Sequence, residues 1–156
     1  MIDFTDSTNP IEIAYFDRGP IDEKELLTGG FWSVYYYQGA IYGTEIARGL
    51  DVLKLLPSEF LSANEIAAAA LAYPAMSPSK LFNPQQQIPM AWPDMPIVAS
   101  AYVDQFERAK AISSVTADNV RQLLSKLAEL IKTNKSSKVG EVVFRIKKEM
   151  KSVTAD

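Results

Sequence analysis

The chain of 156 residues contains no cysteine and no histidine. Without cysteine, disulfide bonds, thiolate nucleophiles and cysteine-ligated zinc are excluded. Without histidine, the most common general base and the most common metal ligand are missing as well. Ser-His-Asp, Cys-His and histidine-ligated metal chemistry are therefore excluded within this sequence. We predict no cofactor and no metal site.

Charge and hydropathy argue against two classes of partner. The formal net charge is −3, from 16 basic and 19 acidic residues, so we expect no nucleic-acid partner. No run approaches the roughly 20 apolar residues of a membrane span. Residues 1–10 lack the basic and apolar stretches of a secretory signal. The composition does not indicate in which cellular compartment the protein is located. Hydrophobic residues make up 47% of the sequence, as in an ordinary folded protein.

The pattern changes near Pro57, from strand-like to helix-like. This change predicts an α+β fold with an antiparallel β-sheet unit at residues 1–57 and a helical region at residues 58–156. In the longest strand-like run, Trp32, Val34 and Tyr36 share one face, and Ser33, Tyr35 and Tyr37 share the other. Both faces are bulky, which is typical of a sheet covered on both faces. Turn residues separate the predicted strands, which lie at residues 11–16, 31–37, 40–46 and 50–55.

The second half carries helix signals and one proline-rich segment. Residues 62–65, Ser-Ala-Asn-Glu, form a capping box that predicts a short helix. Six prolines between residues 74 and 96 predict an extended connector. We expect three further helices: one at residues 95–112 with Val98, Tyr102 and Phe106 in line, one capped by Thr116, and one at residues 137–152. The last helix has an apolar stripe between Val139 and Met150, which is an alternative partner-binding surface, and basic residues that we interpret as a solvated face.

Three stretches resemble the LVIVD-repeat β-propeller proteins. In residues 2–22, IDFTDSTNPIEIAYFDRGPID, an aspartate-containing strand leads through Asn-Pro to another strand, as in that family. Residues 29–69 are similar to the end of its last repeat, most specifically in GTEIARGLDV, and residues 90–112 to its helical extension. The resemblance implies an exported bacterial protein without an established activity, located outside the cell or in the periplasm. One departure is Gln38-Gly39, where the family often has Asn-Gly. With Gln in place of Asn, a longer turn is an alternative to the two-residue turn.

The sequence holds strands for about one propeller blade, whereas a propeller needs several. An incomplete sheet leaves faces and edges uncovered. The missing cover comes from copies of this chain in a homo-oligomer, from remaining blades on another chain, or from the helical region folding back. We favour association, because a sheet that is apolar on both faces needs two covers. The predicted function is therefore a non-catalytic structural or interaction module.

One group of charged residues lies at the second predicted hairpin. If Ala47-Arg48-Gly49 forms a three-residue loop, Glu45 lies opposite Asp51, and the facing carboxylates repel each other. The alternative function is a glycosidase-like hydrolase in which Glu45 and Asp51 act as acid and base. The structural interpretation is a clamp in which Arg48 binds the carboxylates. We favour the clamp, because ion-pair networks perturb pKa values without catalysis.

Four further residues are candidates for binding. Asp17 and Arg18 precede Gly-Pro and either bind a ligand or anchor a long loop, and we favour the anchor. Trp32 and Tyr35 belong to an aromatic cluster that forms either a sugar-stacking platform or a core between sheets, and we favour the core. The acidic loop around Asp22 lacks the alternating oxygen ligands of a calcium site.

Overall fold

A computed structural model describes residues 1–75 and 89–151 of the chain. The predicted α+β class is confirmed, because antiparallel sheets occupy the N-terminal half and four helices follow. Within the two described ranges, no helix combines the length and apolar character needed to cross a bilayer. The elements are β1 (Ile2–Asp3), β2 (Ile11–Glu12), β3 (Phe31–Tyr37), β4 (Ala40–Glu45), β5 (Gly49–Leu53), α1 (Ala63–Ala69), β6 (Tyr73–Pro74), β7 (Met90–Ala91), α2 (Pro96–Arg108), α3 (Ser114–Lys132) and α4 (Val139–Lys151).

The chain divides into two compact units. The sheet unit holds residues 1–61, 69–75 and 89–91 of the described chain, and the helical unit holds residues 62–68 and 92–151. The boundary predicted at residue 57 stays a prediction. The proposed connector at residues 74–96 falls mostly on residues 76–88, which lie outside the described residues. At its two ends β6 pairs with β7, and the Ala75 amide donates to the Pro89 carbonyl at 2.9 Å.

The main sheet has the antiparallel order β3-β4-β5. β3 and β4 are joined by a two-residue turn, with Tyr37 opposite Ala40. Gln38 and Gly39 of this turn both have positive φ, at 47° and 82°, as a type I′ turn requires. The departure from Asn-Gly therefore does not lengthen the turn, and Gln38 adopts a left-handed conformation that costs an L-residue about 1–2 kcal/mol.

A β-bulge in β3 changes the predicted faces of the sheet. The pairing register shifts between Phe31 and Ser33, so Trp32 is the extra residue. The Phe31 ring instead takes the face expected for Trp32 and lies on Gly43, where an added Cβ would come within 2.6 Å of ring carbons. Gly43 permits this because it has no side chain. The bulge takes Trp32 out of the regular alternation on which its predicted place beside Val34 and Tyr36 depends.

The predicted strand at residues 11–16 is much shorter than expected. Only Ile11–Glu12 is a strand, and it pairs with β1 in a separate two-stranded sheet. The Ile13 amide donates to the Met1 carbonyl at 3.1 Å, and the Met1 ammonium donates to the Ala14 carbonyl at 2.6 Å. Beyond these bonds to the N-terminus the chain leaves the strand conformation, so these residues do not extend the main sheet.

The helical unit is built around α3. Its apolar stripe, predicted from residue spacing, packs against α2 on one side and α4 on the other, and the buried residues include Val103, Val120, Leu123, Leu124, Leu130 and Val142. Ser113 caps α3 and accepts a hydrogen bond from the Thr116 amide at 3.1 Å, so the prediction that Thr116 is the cap is wrong. In α2 the buried residues are Ala101 and Val103, while Tyr102 and Phe106 lie half exposed.

The apolar stripe of α4 is used within its own unit. Val142 is buried, and Val139, Ile146 and Met150 pack against the cluster on α3. The stripe that was considered as a partner-binding surface is therefore covered by α3. The opposite side of α4 exposes Phe144 at 68% of its surface.

Candidate functional site

The turn between β4 and β5 is organised by the carboxylate of Glu45. This side chain is 8% exposed, and it accepts hydrogen bonds from the amides of Gly30 at 2.7 Å, Ala47 at 2.9 Å and Arg48. Burial by itself raises the pKa of the Glu45 carboxyl. The three amides and the charge of Arg48 outweigh burial, so the pKa lies below its ordinary value and the group is held as a carboxylate.

The register predicted for this hairpin is wrong. Glu45 pairs with Gly49 instead of Asp51, and Asp51 pairs with Gly43. The loop therefore consists of residues 46–48, and Gly49 begins β5 with φ at 92°. The physical reason is that the Glu45 carboxylate folds back onto the turn amides, which places Gly49 directly after a compact loop. The two carboxylates share a sheet face but are two positions apart along the strands.

The guanidinium that binds Asp51 belongs to Arg18 and not to Arg48. Arg18 Nη1 donates to Asp51 Oδ1 at 3.0 Å and Nη2 donates to Oδ2 at 2.8 Å, a bidentate pair. Arg48 Nη2 donates to the carbonyl of Pro20 at 2.7 Å. Both arginines therefore tie the loop before β3 to the β4–β5 hairpin, which is the anchoring arrangement favoured for Arg18, while the Arg48 clamp on both carboxylates is not formed.

A cavity of about 370 Å³ lies between this loop and the hairpin, and both Glu45 and Arg48 reach its wall. Asp17 also lines it and accepts a hydrogen bond from the Gly19 amide at 2.8 Å, which fixes a turn. Asp22 does the same for the amides of Lys24 and Glu25, and these bonds lower the pKa of its carboxyl. Asp17, Asp22 and Glu45 thus all accept hydrogen bonds from backbone amides around the cavity.

The two aromatic candidates lie on β3 in different surroundings. Trp32 is 81% exposed at the bulge. Tyr35 is half buried and lies opposite Tyr42 in the regular part of the ladder. Among the described residues these two rings form no ring contact with each other, and the bulge takes Trp32 out of the regular alternation of the strand.

The sheet unit also contains an apolar groove of about 990 Å³. One sheet face contributes Phe31, Val34, Tyr36 and Ile41, and the remaining walls come from Met1 and from residues 12–16 and 53–60. The rings of Phe16 and Phe31 meet with centroids 6.2 Å apart. This face of the sheet is thus only partly covered by segments within residues 1–75 and 89–151.

The most extensive polar cluster lies in the helical unit, and sequence reasoning found only its first residues. The capping box forms as predicted, since the Ser62 amide donates to Glu65 at 2.6 Å and the Glu65 amide donates to Ser62 Oγ at 3.1 Å. Arg108 then binds Glu65 through two bonds at 2.9 and 2.6 Å. The two bonds between Glu65 and Arg108 attach α1 to α2.

Asp104 is the centre of this cluster. It accepts hydrogen bonds from Ser62 Oγ at 2.6 Å and from Asn64 at 2.9 Å, and from Arg121 Nη2 at 2.7 Å and Nε at 3.0 Å. Burial by itself raises the pKa of Asp104, but these donors lower it below the ordinary value. Asp104 directly follows the buried Val103 and lies at the edge of the apolar face of α2, but its partners are distant in sequence, so sequence reasoning missed this role.

Arg121 joins three carboxylates. Besides Asp104 it binds Glu107 and, at 3.1 Å, the more exposed Asp118. These partners raise the pKa of Arg121 although burial lowers it, and the bonds from Arg121 and Ser114 lower the pKa of Glu107. The described part of the chain contains no group of three or more acidic residues arranged to hold a metal ion.

Comparison with known proteins adds no further assignment to these two polar clusters. No protein-family model, no curated protein and no solved structure matches this chain.

Proposed function

We propose that this chain is a non-catalytic interaction module whose sheet is completed by a protein partner. The observation that carries the proposal is the incompleteness of the sheet β3-β4-β5 in the described residues. Its outer face exposes Tyr37, Tyr42, Leu50 and Val52 at 41, 37, 62 and 56%. Covering Leu50 and Val52 alone would contribute about 2–3 kcal/mol, since both are more than half exposed.

The use of the candidate catalytic groups supports the same proposal. The carboxylate of Glu45 accepts hydrogen bonds from three backbone amides, and the carboxylate of Asp51 forms an ion pair with Arg18. The amide bonds to Glu45 outweigh burial and lower the pKa of its carboxyl, whereas a general acid needs a raised pKa. The hydrolase with Glu45 and Asp51 remains a prediction that no contact in the structure favours.

The wider assignment, the terminal part of an exported propeller-like protein, rests on the resemblance to LVIVD-repeat proteins alone. In that arrangement the missing blades would cover the open sheet face. A second copy of the chain would serve the same physical need, because either partner removes apolar surface from water.

Sedimentation velocity over a concentration series, combined with amide hydrogen exchange, tests the proposal. We expect masses above that of one chain at high concentration, together with slower exchange in β3, β4 and β5. The helices α2, α3 and α4 should exchange equally at all concentrations. As a control, Phe144→Lys removes an exposed large apolar side chain from the helical unit and should leave the association unchanged.

A single-chain mass at every concentration, with unchanged exchange in the three strands, would contradict the proposal for association of the purified protein. Association that is lost in Phe144→Lys would place the interacting surface on α4 and would contradict it too.

A further inference from the structure

We propose that two copies of this chain join along the outer edge of β3, so that their sheets form one six-stranded antiparallel sheet. This inference rests on the proposed function and names its partner as a second copy. β3 is hydrogen-bonded on one side only, to β4, among the residues that the structure describes. A seven-residue strand offers an edge of about 23 Å.

The hairpin geometry identifies which residues face this edge. Tyr37 and Ala40 flank a two-residue turn and therefore form a hydrogen-bonded pair. Because hydrogen-bonded and non-hydrogen-bonded pairs alternate along an antiparallel ladder, Val34 and Tyr36 point their N–H and C=O groups away from β4. These two residues present a donor–acceptor pattern that an antiparallel strand satisfies.

This pattern is complementary to itself. When two β3 strands lie antiparallel about a two-fold axis through Tyr35, Val34 of each copy lies opposite Tyr36 of the other. Each Val34–Tyr36 pair exchanges two backbone hydrogen bonds, and the two pairs make four. Tyr35 then lies opposite Tyr35, and aromatic and β-branched residues are favourable cross-strand neighbours. The contact is isologous and closes at two copies.

Charge distinguishes the β3 edge from the other edge of the same sheet. β3 has the sequence FWSVYYY without a charged residue or proline, so two copies meet without like charges facing each other. Natural proteins usually protect free edges with such residues. β5 is protected, because it contains Asp51 paired with Arg18 and is followed by Lys54. The free edge most suited to a second copy is therefore β3.

Tyr35→Lys and Tyr42→Lys form a matched pair for the test. The two residues lie opposite each other in β3 and β4, so either substitution removes the same cross-strand pair from the monomer. Only Tyr35→Lys places two ammonium groups against each other on the two-fold axis. Sedimentation velocity from about 1 to 200 μM should show a dimer of the wild-type chain, a Kd about 100-fold higher for Tyr35→Lys, and a Kd within about threefold of wild type for Tyr42→Lys. Far-UV circular dichroism establishes that both variants are folded to the same extent.

The other outcomes separate this inference from the function on which it rests. If Tyr42→Lys weakens the dimer as much as Tyr35→Lys, the outer sheet face is the contact; edge pairing is overturned and the interaction module stands. If neither variant weakens the dimer, edge pairing is overturned in the same way. A wild-type chain that stays a monomer throughout this range overturns edge pairing, and the interaction module then requires a partner other than a second copy.

Discussion

Replacing Asp104 by alanine tests whether the polar cluster of the helical unit holds α1, α2 and α3 together. The carboxylate is the common acceptor for Ser62, Asn64 and Arg121, and its side chain is only 10% exposed. Removal leaves all three donors without this acceptor. Losing one partner of a buried ion pair costs about 3–5 kcal/mol, but Arg121 is 30% exposed and finds water, so we expect about 2–4 kcal/mol.

Asp118→Ala is the matched control for this prediction. Asp118 binds the same guanidinium, yet its side chain is 68% exposed, so its removal should cost under about 0.5 kcal/mol. Asp104→Asn should fall between the two, at about 1–2 kcal/mol, because the amide oxygen still accepts hydrogen bonds while the charge is lost.

Urea unfolding followed by circular dichroism at 222 nm measures these differences, with unchanged slopes indicating an unchanged unfolded state. A double-mutant cycle with Arg121→Gln should give a coupling energy of about 1–2 kcal/mol for Asp104 and close to zero for Asp118. Equal losses for Asp104→Ala and Asp118→Ala would refute the reasoning, since they would show that burial does not decide the contribution of the pair.

Three further predictions concern the turn, the sheet and the pH dependence. Gln38→Asn should stabilise the protein by about 0.5–1 kcal/mol in thermal unfolding, because Asn tolerates positive φ better, and a loss of stability would contradict the type I′ assignment. Gly43→Ala should destabilise by about 1–3 kcal/mol, since its Cβ meets the Phe31 ring at 2.6 Å, whereas Gly140→Ala in α4 meets open space and should be neutral or slightly stabilising. The pKa of Glu65 is lowered: burial raises it, but Arg108 and the Ser62 amide outweigh burial. The stability that it contributes is therefore present above its unfolded value of 4.5 and lost as pH falls through the folded pKa. Urea unfolding at pH 7 and pH 3 should show a smaller pH-dependent loss in Glu65→Gln, and an unchanged loss would contradict this assignment.

The features that depend on neighbouring residues could be predicted from the sequence. Ser62 and Glu65 are three positions apart, and their capping box forms with both expected hydrogen bonds. The i, i+3, i+4 spacing of α3 places Val120 and Leu124 in the core. Asp104, in contrast, meets Ser62 across 42 positions of sequence, and such a contact leaves no local pattern.

The hairpin register was wrong because two kinds of hydrogen bond compete at Glu45. Alternation treats Glu45 as a strand residue whose side chain meets a neighbour on the next strand. A carboxylate next to a turn can also accept hydrogen bonds from the turn amides, as Glu45 does from Ala47. The strand arrangement and the turn arrangement are both compatible with the same sequence. Only the Gly30 amide, which approaches from a distant loop, adds a third donor that favours the turn arrangement. The choice between clamp and acid/base pair therefore depended on a contact that spacing does not contain.

The bulge at Trp32 could not be predicted for a related reason, and it bears on the proposed edge contact. A run of bulky residues such as FWSVYYY packs in either of two alternations, and a one-residue change exchanges them. The partner strand decides, because only Gly43 leaves room for an aromatic ring, and Phe31 takes it. The bulge that results is confined to the start of β3, so the ladder from Ser33 to Tyr37 stays regular. Because this part of the ladder is regular, the N–H and C=O groups of Val34 and Tyr36 point away from β4. The edge of β3 can therefore pair with the same edge of a second copy.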